Sequence, residues 1–229
     1  MTPALAVERD SQSSWAHATP VVFVVDDDVS VRESLEAMID FAGLRAETYA
    51  CAQDFLRRPR ARVPSCLVLD VSLPDLSGLA LQNLIASERT DMPIIFISGY
   101  GDVPTTVRAM KAGAVEFLTK PFDDQVLLDA IRHAIERSCA VLSEEAGMQS
   151  IRDRYASLSK REREVMALVV TGLLNKQVGG ELGICEFTVK MHRRRVMRKM
   201  DVRSLAELVN IAARLHLERA PRTALQRAA

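Results

Sequence analysis

Two kinds of hydrophobic pattern divide the chain. From residue 20 to about residue 137, short unbroken apolar runs take turns with longer segments whose apolar residues recur at helical spacing. Unbroken apolar runs are typical of strands covered on both faces, and the spaced segments are typical of amphipathic helices. From residue 158 onward only the helical spacing remains. The sequence therefore predicts an α/β domain followed by an all-helical domain.

The first region predicts five strands and five helices in alternation. The strands are VVFVV at 21–25, LRAETY at 44–49, CLVLD at 66–70, PIIFIS at 93–98 and AVEFLT at 114–119. The helices follow them at 29–43, 52–58, 78–88, 103–113 and 123–138. Connections of this length join parallel strands through helical crossovers. We therefore expect a five-stranded, doubly wound parallel sheet with helices on its faces.

The second region predicts a small all-α domain of four helices, at 159–172, 175–183, 186–200 and 204–217. Its first helix opens with Ser159 and Glu162 in the spacing of a capping box and stops near Gly172. A short helix, a turn at LGI and a longer helix then follow one another. This order is typical of a helix-turn-helix, which we place at about 175–194.

These patterns divide the whole chain into five segments. We predict a disordered tail at 1–19, the α/β domain at 20–137, a linker at 138–153, the helical domain at 154–219 and a frayed tail at 220–229. The linker contains a glycine and no strong apolar period, although part of it can extend the preceding helix. No repeat of solenoid length is present in the sequence.

Charge separates the two domains although the chain as a whole is neutral. Residues 20–137 contain 18 acidic and 12 basic side chains, a net charge of −6, and residues 153–219 contain 8 acidic and 14 basic side chains, a net charge of +6. A basic helical domain favours a polyanionic partner. The four cysteines form no C-x-x-C pair, and we find neither a signal peptide nor a membrane span. We therefore expect a soluble, cytoplasmic protein.

Polar residues that carry chemistry fall at the carboxyl ends of the predicted strands. Asp26–Asp28 follow the first strand, Asp70 ends the third, Ser98 ends the fourth and Lys120 follows the fifth. Open parallel sheets bind their ligands at this edge. Carboxylates repel one another, and a cluster of them favours a hard divalent cation such as Mg²⁺, which prefers oxygen ligands. The sequence therefore predicts a magnesium site here.

The residue types at this edge suit phosphoryl transfer. The carboxylate of Asp70 can attack a phosphoryl group and form an aspartyl phosphate. The developing charge needs a metal ion and donors, which the hydroxyl of Ser98 and the ammonium of Lys120 supply. A simpler interpretation of the first strand end is also open, because Asp27 or Asp28 can merely cap the helix that follows.

Four segments together resemble the receiver domains of bacterial two-component systems: VVFVVDDD, CLVLDVSLPDLSGL, IIFISGYGD and AMKAGAVEFLTKPF. The resemblance covers residues 20–137 and implies a flavodoxin-like fold. It implies Asp70 as the phosphoryl acceptor and Asp26 and Asp27 as the acidic pair. It also implies a Mg²⁺ site made of that pair, Asp70 and the backbone carbonyl of Ser72.

The same resemblance implies how the phosphorylated state is sensed. Ser98 and Phe117 would form the switch pair, and Lys120 would contact the phosphoryl group. The peptide bond before Pro121 would be cis, as is common at this position of receivers.

The helix at 186–200 has an apolar side and a cationic side. At about 100° per residue, one side carries Val189, Val196 and Met200. The other side carries a cationic arc with its neighbours: Lys190, Arg194, Arg198, Met191 and Arg195. An ordinary solvated face would look similar, but the preceding short helix and turn favour a helix that lies in the DNA major groove.

The segments LSKREREVMALVVTGLLNKQV, LGI and TVKMHRRRVMRKM resemble the LuxR-type DNA-binding domain across residues 154–219. By position, the resemblance implies base contacts from Lys190, Met191 and Arg194. The other candidate DNA contacts are Lys176, Thr188, Arg195, Arg198 and Lys199, with phosphate contacts expected for Lys176, Arg195 and Lys199. The segment SLAELVNIAARL would supply dimer packing.

Two features depart from the pattern of that domain, a cysteine at a helix cap and a pair of glycines within a helix. Cys185 stands where a serine or threonine usually caps the recognition helix. A thiol is a poor hydrogen-bond acceptor, and the missing cap costs about 1 kcal/mol of helix stability. Gly179 and Gly180 lie within the scaffold helix, where each glycine costs about 1 kcal/mol relative to alanine. We therefore expect a helical domain of marginal stability.

Together the two resemblances indicate a response regulator of the FixJ/NarL class, not an enzyme. Such a protein would accept a phosphoryl group on Asp70 from a sensor histidine kinase, form a homodimer through the receiver and bind double-stranded promoter DNA, with RNA polymerase as a possible further partner. A haloacid-dehalogenase-like phosphatase is an alternative, but that class has a second aspartate where this chain has Ser72. A receiver that acts only by binding proteins is a third interpretation.

Overall fold

The computed structural model describes residues 18–59, 62–86 and 88–217. The chain forms two compact units, Met1–Glu144 and Glu145–Ala229. Of the predicted tails, residues 1–17 of the first and all of 220–229 lie outside the described residues. None of the helices in the described part of the chain has the length and the apolar character that a bilayer crossing requires.

The first unit is built on a sheet of five parallel strands in the order β2-β1-β3-β4-β5. The strands are β1 Val21–Val25, β2 Arg45–Tyr49, β3 Ser65–Asp70, β4 Ile94–Ser98 and β5 Glu116–Thr119. This order is that of the flavodoxin-like doubly wound fold, in which the strand order reverses between β1 and β3. The predicted fold class is therefore confirmed.

Helices cover both faces of this sheet, which explains the unbroken apolar runs. The helices are α1 Val29–Phe41, α2 Ala52–Arg57, α3 Gly78–Ile85, α4 Val103–Lys111 and α5 Asp124–Ala156. In β1, Val21, Phe23 and Val25 point to a core shared with α2, α3 and α4. The alternate residues Val22 and Val24 point to a second core shared with α1 and α5. Successive strand side chains face opposite ways, so both sets must be apolar.

Side chains at the strand-to-helix turns start several of the helices. The carboxylate of Asp28 accepts hydrogen bonds from the backbone nitrogens of Ser30 at 2.8 Å and Val31 at 3.5 Å. Asp28 is therefore the N-cap of α1, so the capping interpretation holds for Asp28. Asp102 caps α4 in the same way through the backbone nitrogen of Thr105 at 2.6 Å.

Helix α5 is longer than the sequence pattern predicts. It runs without a break to Ala156, so the residues predicted as a linker, 138–153, are helical. Eight of these 16 residues are alanine, leucine, glutamate, methionine, glutamine or arginine, which have high helix propensity, and a single glycine at 147 does not end the helix. Ser138 anchors the helix to the sheet, since its hydroxyl donates to the backbone oxygen of Asp91 and accepts from the backbone nitrogen of Ser65.

Within the residues that the structure describes, the second unit contains four further helices around one apolar core, as predicted. They are α6 Lys160–Val169, α7 Asn175–Leu182, α8 Glu186–Lys199 and α9 Leu205–Arg214. The predicted capping box opens α6, with Glu162 Oε2 accepting from the backbone nitrogen of Ser159 at 2.8 Å. Gly183 ends α7 in the left-handed conformation, with φ of 64°, which favours glycine at this position.

The two glycines of α7 differ in what surrounds them. A Cβ atom on Gly179 would lie 2.7 Å from the backbone oxygen of Ile184, which leaves no room for a side chain. A Cβ atom on Gly180 would meet nothing within 4 Å. The expectation that alanine would be more stable than glycine at both positions is therefore wrong for Gly179. The turn approaches α7 so closely there that only glycine fits.

Alanine at these two positions should change the stability of the second unit in opposite directions. We expect Gly180→Ala to raise the free energy of unfolding by about 1 kcal/mol, because alanine loses less conformational entropy in a helix. Gly179→Ala should lower it by about 1–3 kcal/mol, because the turn must move away from the added methyl group. Chemical denaturation of the full chain, followed by the circular dichroism of its helices, measures both. Equal shifts would contradict the role given to the turn.

Candidate functional site

The carboxyl ends of three strands meet around one ammonium group. Asp26 follows β1, Asp70 ends β3, and Lys120 follows β5. The Nζ atom of Lys120 lies 2.6 Å from Oδ2 of Asp26 and 2.8 Å from Oδ2 of Asp70. The repulsion between two of the strand-end carboxylates is thus partly offset by a cation that the chain itself supplies.

Burial makes these charges interact strongly. Asp26 is fully buried and Asp70 is 7% exposed. Burial, the largest influence, raises the pKa of Asp26 above its usual value, although its hydrogen bonds with Lys120 and the backbone of Asp28 act in the opposite direction. Burial alone would lower the pKa of Lys120, but its hydrogen bonds to the two carboxylates outweigh it and raise the pKa.

Backbone groups and one arginine fix the geometry of the two buried acids. The backbone nitrogen of Asp28 donates to Oδ1 of Asp26, and that of Ser72 donates to Oδ1 of Asp70, both at 2.9 Å. Arg32, one turn into α1, donates from a guanidinium nitrogen to the backbone oxygen of Asp26 at 2.7 Å. The bond to Asp70 places Ser72 beside the acidic cluster.

The cluster has the composition of a site for a hard cation. Carboxylate oxygens of Asp26, Asp27 and Asp70 lie within 4.8 Å of one another, and Asp27 is exposed to solvent. Together with Lys120 they carry a formal charge of −2 when all four groups are ionised. Oxygen ligands and a net charge of −2 suit a divalent cation such as Mg²⁺. The residues present therefore fit the predicted metal.

Ser98 and Phe117 lie on the two neighbouring strands β4 and β5. The Ser98 hydroxyl is buried; it donates to the backbone oxygen of Tyr100 at 2.9 Å and lies 3.2 Å from the backbone nitrogen of that residue, which donates to it. The backbone nitrogen of Lys120 donates to the backbone oxygen of Ser98 at 2.7 Å. Phe117 is half-buried, with its ring centroid 6.0 Å from that of Phe96. The sheet thus brings Ser98 next to Lys120.

The bond between Lys120 and Pro121 is cis, as the resemblance implies.

Helix α8 shows the predicted separation of apolar and cationic sides. Val189, Val196 and Met200 are buried in the core of the second unit. The candidate DNA contacts that are exposed on this helix are Lys190, Met191, Arg194, Arg195 and Arg198. Lys176 is exposed on α7, whereas Thr188 is half-buried. The cationic side of α8 therefore faces away from the helical core.

Two of the candidate cations have partners within the second unit. Lys190 Nζ lies 2.9 Å from the Glu186 carboxylate one turn earlier, in an exposed pair. Lys199 Nζ lies 2.7 Å from Oε2 of Glu162 and donates to the backbone oxygen of Ser157 at 3.0 Å. Lys199 therefore ties α8 to the start of α6, a contact that the sequence analysis did not predict. Its expected contact with a DNA phosphate stays a prediction.

Cys185 occupies the N-cap position of α8 without capping it, as expected. Its side chain accepts no capping hydrogen bond from the backbone. The thiol lies 3.1 Å from the Thr188 hydroxyl, and this hydrogen bond lowers the pKa of Cys185. Thr188 is thus engaged at the start of the helix.

The similarity of the chain to known proteins extends over both units. Residues 22–132 match the family described as response regulator receiver domain, and residues 156–212 match the family described as bacterial regulatory proteins, luxR family. Nodulation protein W of Bradyrhizobium diazoefficiens is 48% identical over 200 residues, which are 87% of this chain and 88% of that protein. The chain belongs to the two-component response regulators.

Other relatives of this response regulator agree with that membership. Response regulator protein TodT of Pseudomonas putida is 44% identical over 195 residues, 85% of this chain and 86% of that protein. The solved structure of response regulator StyR is 47% identical, with a TM-score of 0.78, and the match covers 86% of this chain and 99% of that one. Membership implies a histidine kinase partner and binding of DNA for transcription regulation.

Some contacts of this response regulator were not evident from the sequence. The pairing of Lys120 with two acids joins residues 50 and 94 positions apart, and only the strand order brings them together. Arg193, outside the predicted arc, donates from α8 to the side chain of Asn175 at 3.3 Å. Phe187 was assigned to neither side of α8 from the sequence pattern, and it is 78% exposed on this helix.

Proposed function

We propose that phosphorylation of Asp70 by a sensor histidine kinase controls how α8 binds promoter DNA. The observation that carries this proposal is the cluster in which Lys120 bridges Asp70 and Asp26. It presents a buried carboxylate nucleophile beside a donor at 2.8 Å and beside a further carboxylate, that of Asp27. A DNA-binding regulator acts where the chromosome is, so we propose a cytoplasmic location.

At the phosphorylation site each residue has a distinct task. One Oδ atom of Asp70 attacks the phosphorus as the bond from phosphorus to the histidine nitrogen of the kinase breaks, and that histidine leaves. Lys120, already within hydrogen-bond reach, donates to a phosphoryl oxygen of the product. Asp26, Asp27, Asp70 and the backbone carbonyl of Ser72 would hold Mg²⁺, which when bound supplies positive charge to the phosphoryl oxygens.

The switch residues connect this chemistry to the surface of the receiver. For its hydroxyl to reach a phosphoryl oxygen, Ser98 must release the backbone of Tyr100. Phe117 on the neighbouring strand would then repack inward. Both strands adjoin α4, where Val103, Val107 and Met110 expose large apolar side chains. We propose that the face formed by α4, β5 and α5 then forms a homodimer.

In the dimer, two copies of α8 would lie about one DNA turn apart. The candidate base contacts are Lys190, Met191 and Arg194. We propose phosphate contacts for Lys176 and Arg195, with Thr188, Arg198 and Lys199 as further candidates. The segment of α9 would add packing between the two DNA-binding domains. Contact with RNA polymerase would then link DNA binding to a change in transcription.

The proposed role is regulatory and not enzymatic. Haloacid-dehalogenase-like phosphatases have a second aspartate two residues after the nucleophile, and this chain has Ser72 there. Serine carries no carboxyl group, so Ser72 cannot take the general acid–base role of that aspartate. Membership of the DNA-binding response regulators supports the same conclusion.

Removal of the Arg194 guanidinium should show whether α8 contacts DNA bases or is only a solvated helix face. Arg194 projects from the centre of the exposed side of α8, where two hydrogen bonds to a guanine edge are worth about 1–3 kcal/mol of discrimination. We expect Arg194→Ala to lose about 1–3 kcal/mol of the parent's preference for selected over scrambled duplexes. The measurement is a binding titration at several salt concentrations, with and without acetyl phosphate.

Arg203→Ala is the matched control, because Arg203 is an exposed arginine in the turn between α8 and α9, outside the proposed DNA contacts, and its replacement removes the same charge. It should keep the sequence preference of the parent. If Arg194→Ala keeps that preference as well, α8 is not the helix that contacts the bases. If acetyl phosphate leaves the parent's DNA affinity unchanged, phosphorylation does not control binding.

A further inference from the structure

One large apolar side chain stands in the middle of the cationic side of α8. Phe187 is 78% exposed, although a phenyl ring normally contributes to a core. At about 100° per residue, Phe187 points in nearly the same direction as Arg194 and Arg198. It points almost opposite to the buried Val189 and Val196. The ring therefore forms no part of the helical core and is available to a ligand.

The charges around the ring decide what kind of ligand fits it. A partner surface that covers Phe187 must also cover Arg194 and Arg198, and burying unpaired guanidinium groups in an apolar interface is costly. The DNA major groove solves this problem, because phosphates and base acceptors meet the cations. Among the groups on its floor, the 5-methyl group of thymine is apolar, and phenylalanine is one of the side chains that contact it.

We infer that Phe187 reads a thymine in the operator through its 5-methyl group. The inference rests on the proposed placement of α8 in the major groove. Phe187 is the second residue of α8, in the part of a recognition helix that approaches the base edges. Met191, one turn further on and 38% exposed, extends the same apolar surface, so the thymine lies beside the bases that Arg194 contacts.

Deoxyuridine tests this contact, because it differs from thymidine only by the methyl group. The phosphorylated full chain is titrated on a selected duplex and on a series in which each thymine in turn is replaced by deoxyuridine. We expect the parent to bind about fourfold more weakly when one particular thymine per half-site is replaced, the effect of one methyl-sized group leaving an apolar contact. Phe187→Ala should bind the thymine duplex at least fourfold more weakly than the parent and should not distinguish the two bases there.

Phe41→Ala is the matched control, since Phe41 is 95% exposed in the receiver and loses the same ring. It should bind every duplex like the parent and keep the sensitivity to deoxyuridine. The inference is overturned if the parent tolerates deoxyuridine at every position, or if Phe187→Ala stays as sensitive as the parent. A parent that does not prefer selected duplexes at all overturns the placement of α8 as well. A parent that selects duplexes without sensing the methyl group overturns the thymine contact alone.

Discussion

Acetyl phosphate with Mg²⁺ should add one acid-labile phosphoryl group to the parent protein and none to its Asp70→Asn variant. The amide of asparagine has almost the shape of the carboxylate but is not a nucleophile, so the loss should be complete. Asparagine also keeps an acceptor for the backbone nitrogen of Ser72, and the local turn should survive the change. Intact-mass measurement after a fixed exposure to the donor gives the number of groups added.

Asp28→Asn is the control for this experiment. Asp28 lies at the same sheet edge but outside the cluster of Asp26, Asp27 and Asp70, and its side chain caps α1. Asparagine caps helices about as well as aspartate, so this variant should be phosphorylated like the parent. A phosphoryl group on Asp70→Asn under the same conditions would place the nucleophile elsewhere.

Replacement of Lys199 by methionine should destabilise the second unit by about 2 kcal/mol. The change leaves the carboxylate of Glu162, which is 3% exposed, without its ammonium partner, and an uncompensated buried charge is costly. We place the effect below the usual 3–5 kcal/mol for such pairs because the Lys199 side chain is 32% exposed. Hydrogen exchange of the full chain, read on peptides from α6 and α8, should become about thirtyfold faster.

The size of this effect should depend on pH. Burial alone would raise the pKa of Glu162, but its hydrogen bonds with Lys199 and Ser159 outweigh burial and lower the pKa. A lowered pKa in the folded state means that the stabilisation is present above the ordinary glutamate pKa and is lost as the pH falls through the folded-state pKa. The difference between parent and Lys199→Met should therefore shrink in acid.

Arg198→Met is the comparison for Lys199→Met, since Arg198 precedes it on α8 and is exposed. Surface substitutions of this kind usually change stability by no more than about 0.5 kcal/mol. If both variants exchange at the same rate, the pair with Glu162 contributes nothing and Lys199 is available to a DNA phosphate without cost.

The alternation of apolar runs and amphipathic segments was sufficient to predict the sheet and its helices. Runs such as VVFVV contain side chains for both cores, as expected of a strand that is covered on both faces. The acidic cluster was predictable for a related reason, because the carboxyl ends of parallel strands share one edge. The bond from Lys120 to Asp26 was not, since it depends on which strands are neighbours.

The helical unit shows a different limit of prediction. Gly179 looks like a defect in the sequence of α7, and only the 2.7 Å approach of the Ile184 backbone oxygen shows why it is there. Lys199 looks like one more cation of the DNA-binding helix until its contact with Glu162 is seen. Both cases concern contacts between elements, which local patterns of hydrophobicity and charge do not encode.

In the proposed switch, the two hydrogen bonds between the Ser98 hydroxyl and the backbone of Tyr100 would set the balance between two states of the receiver. Hydrogen bonds of this kind contribute about 1 kcal/mol each. A conformer in which Ser98 has turned away without a phosphoryl group to meet it would then hold a few percent of the molecules. Phosphorylation would enlarge a population that already exists. Transcription from the promoter without phosphorylation would then measure how strongly the backbone of Tyr100 holds the Ser98 hydroxyl.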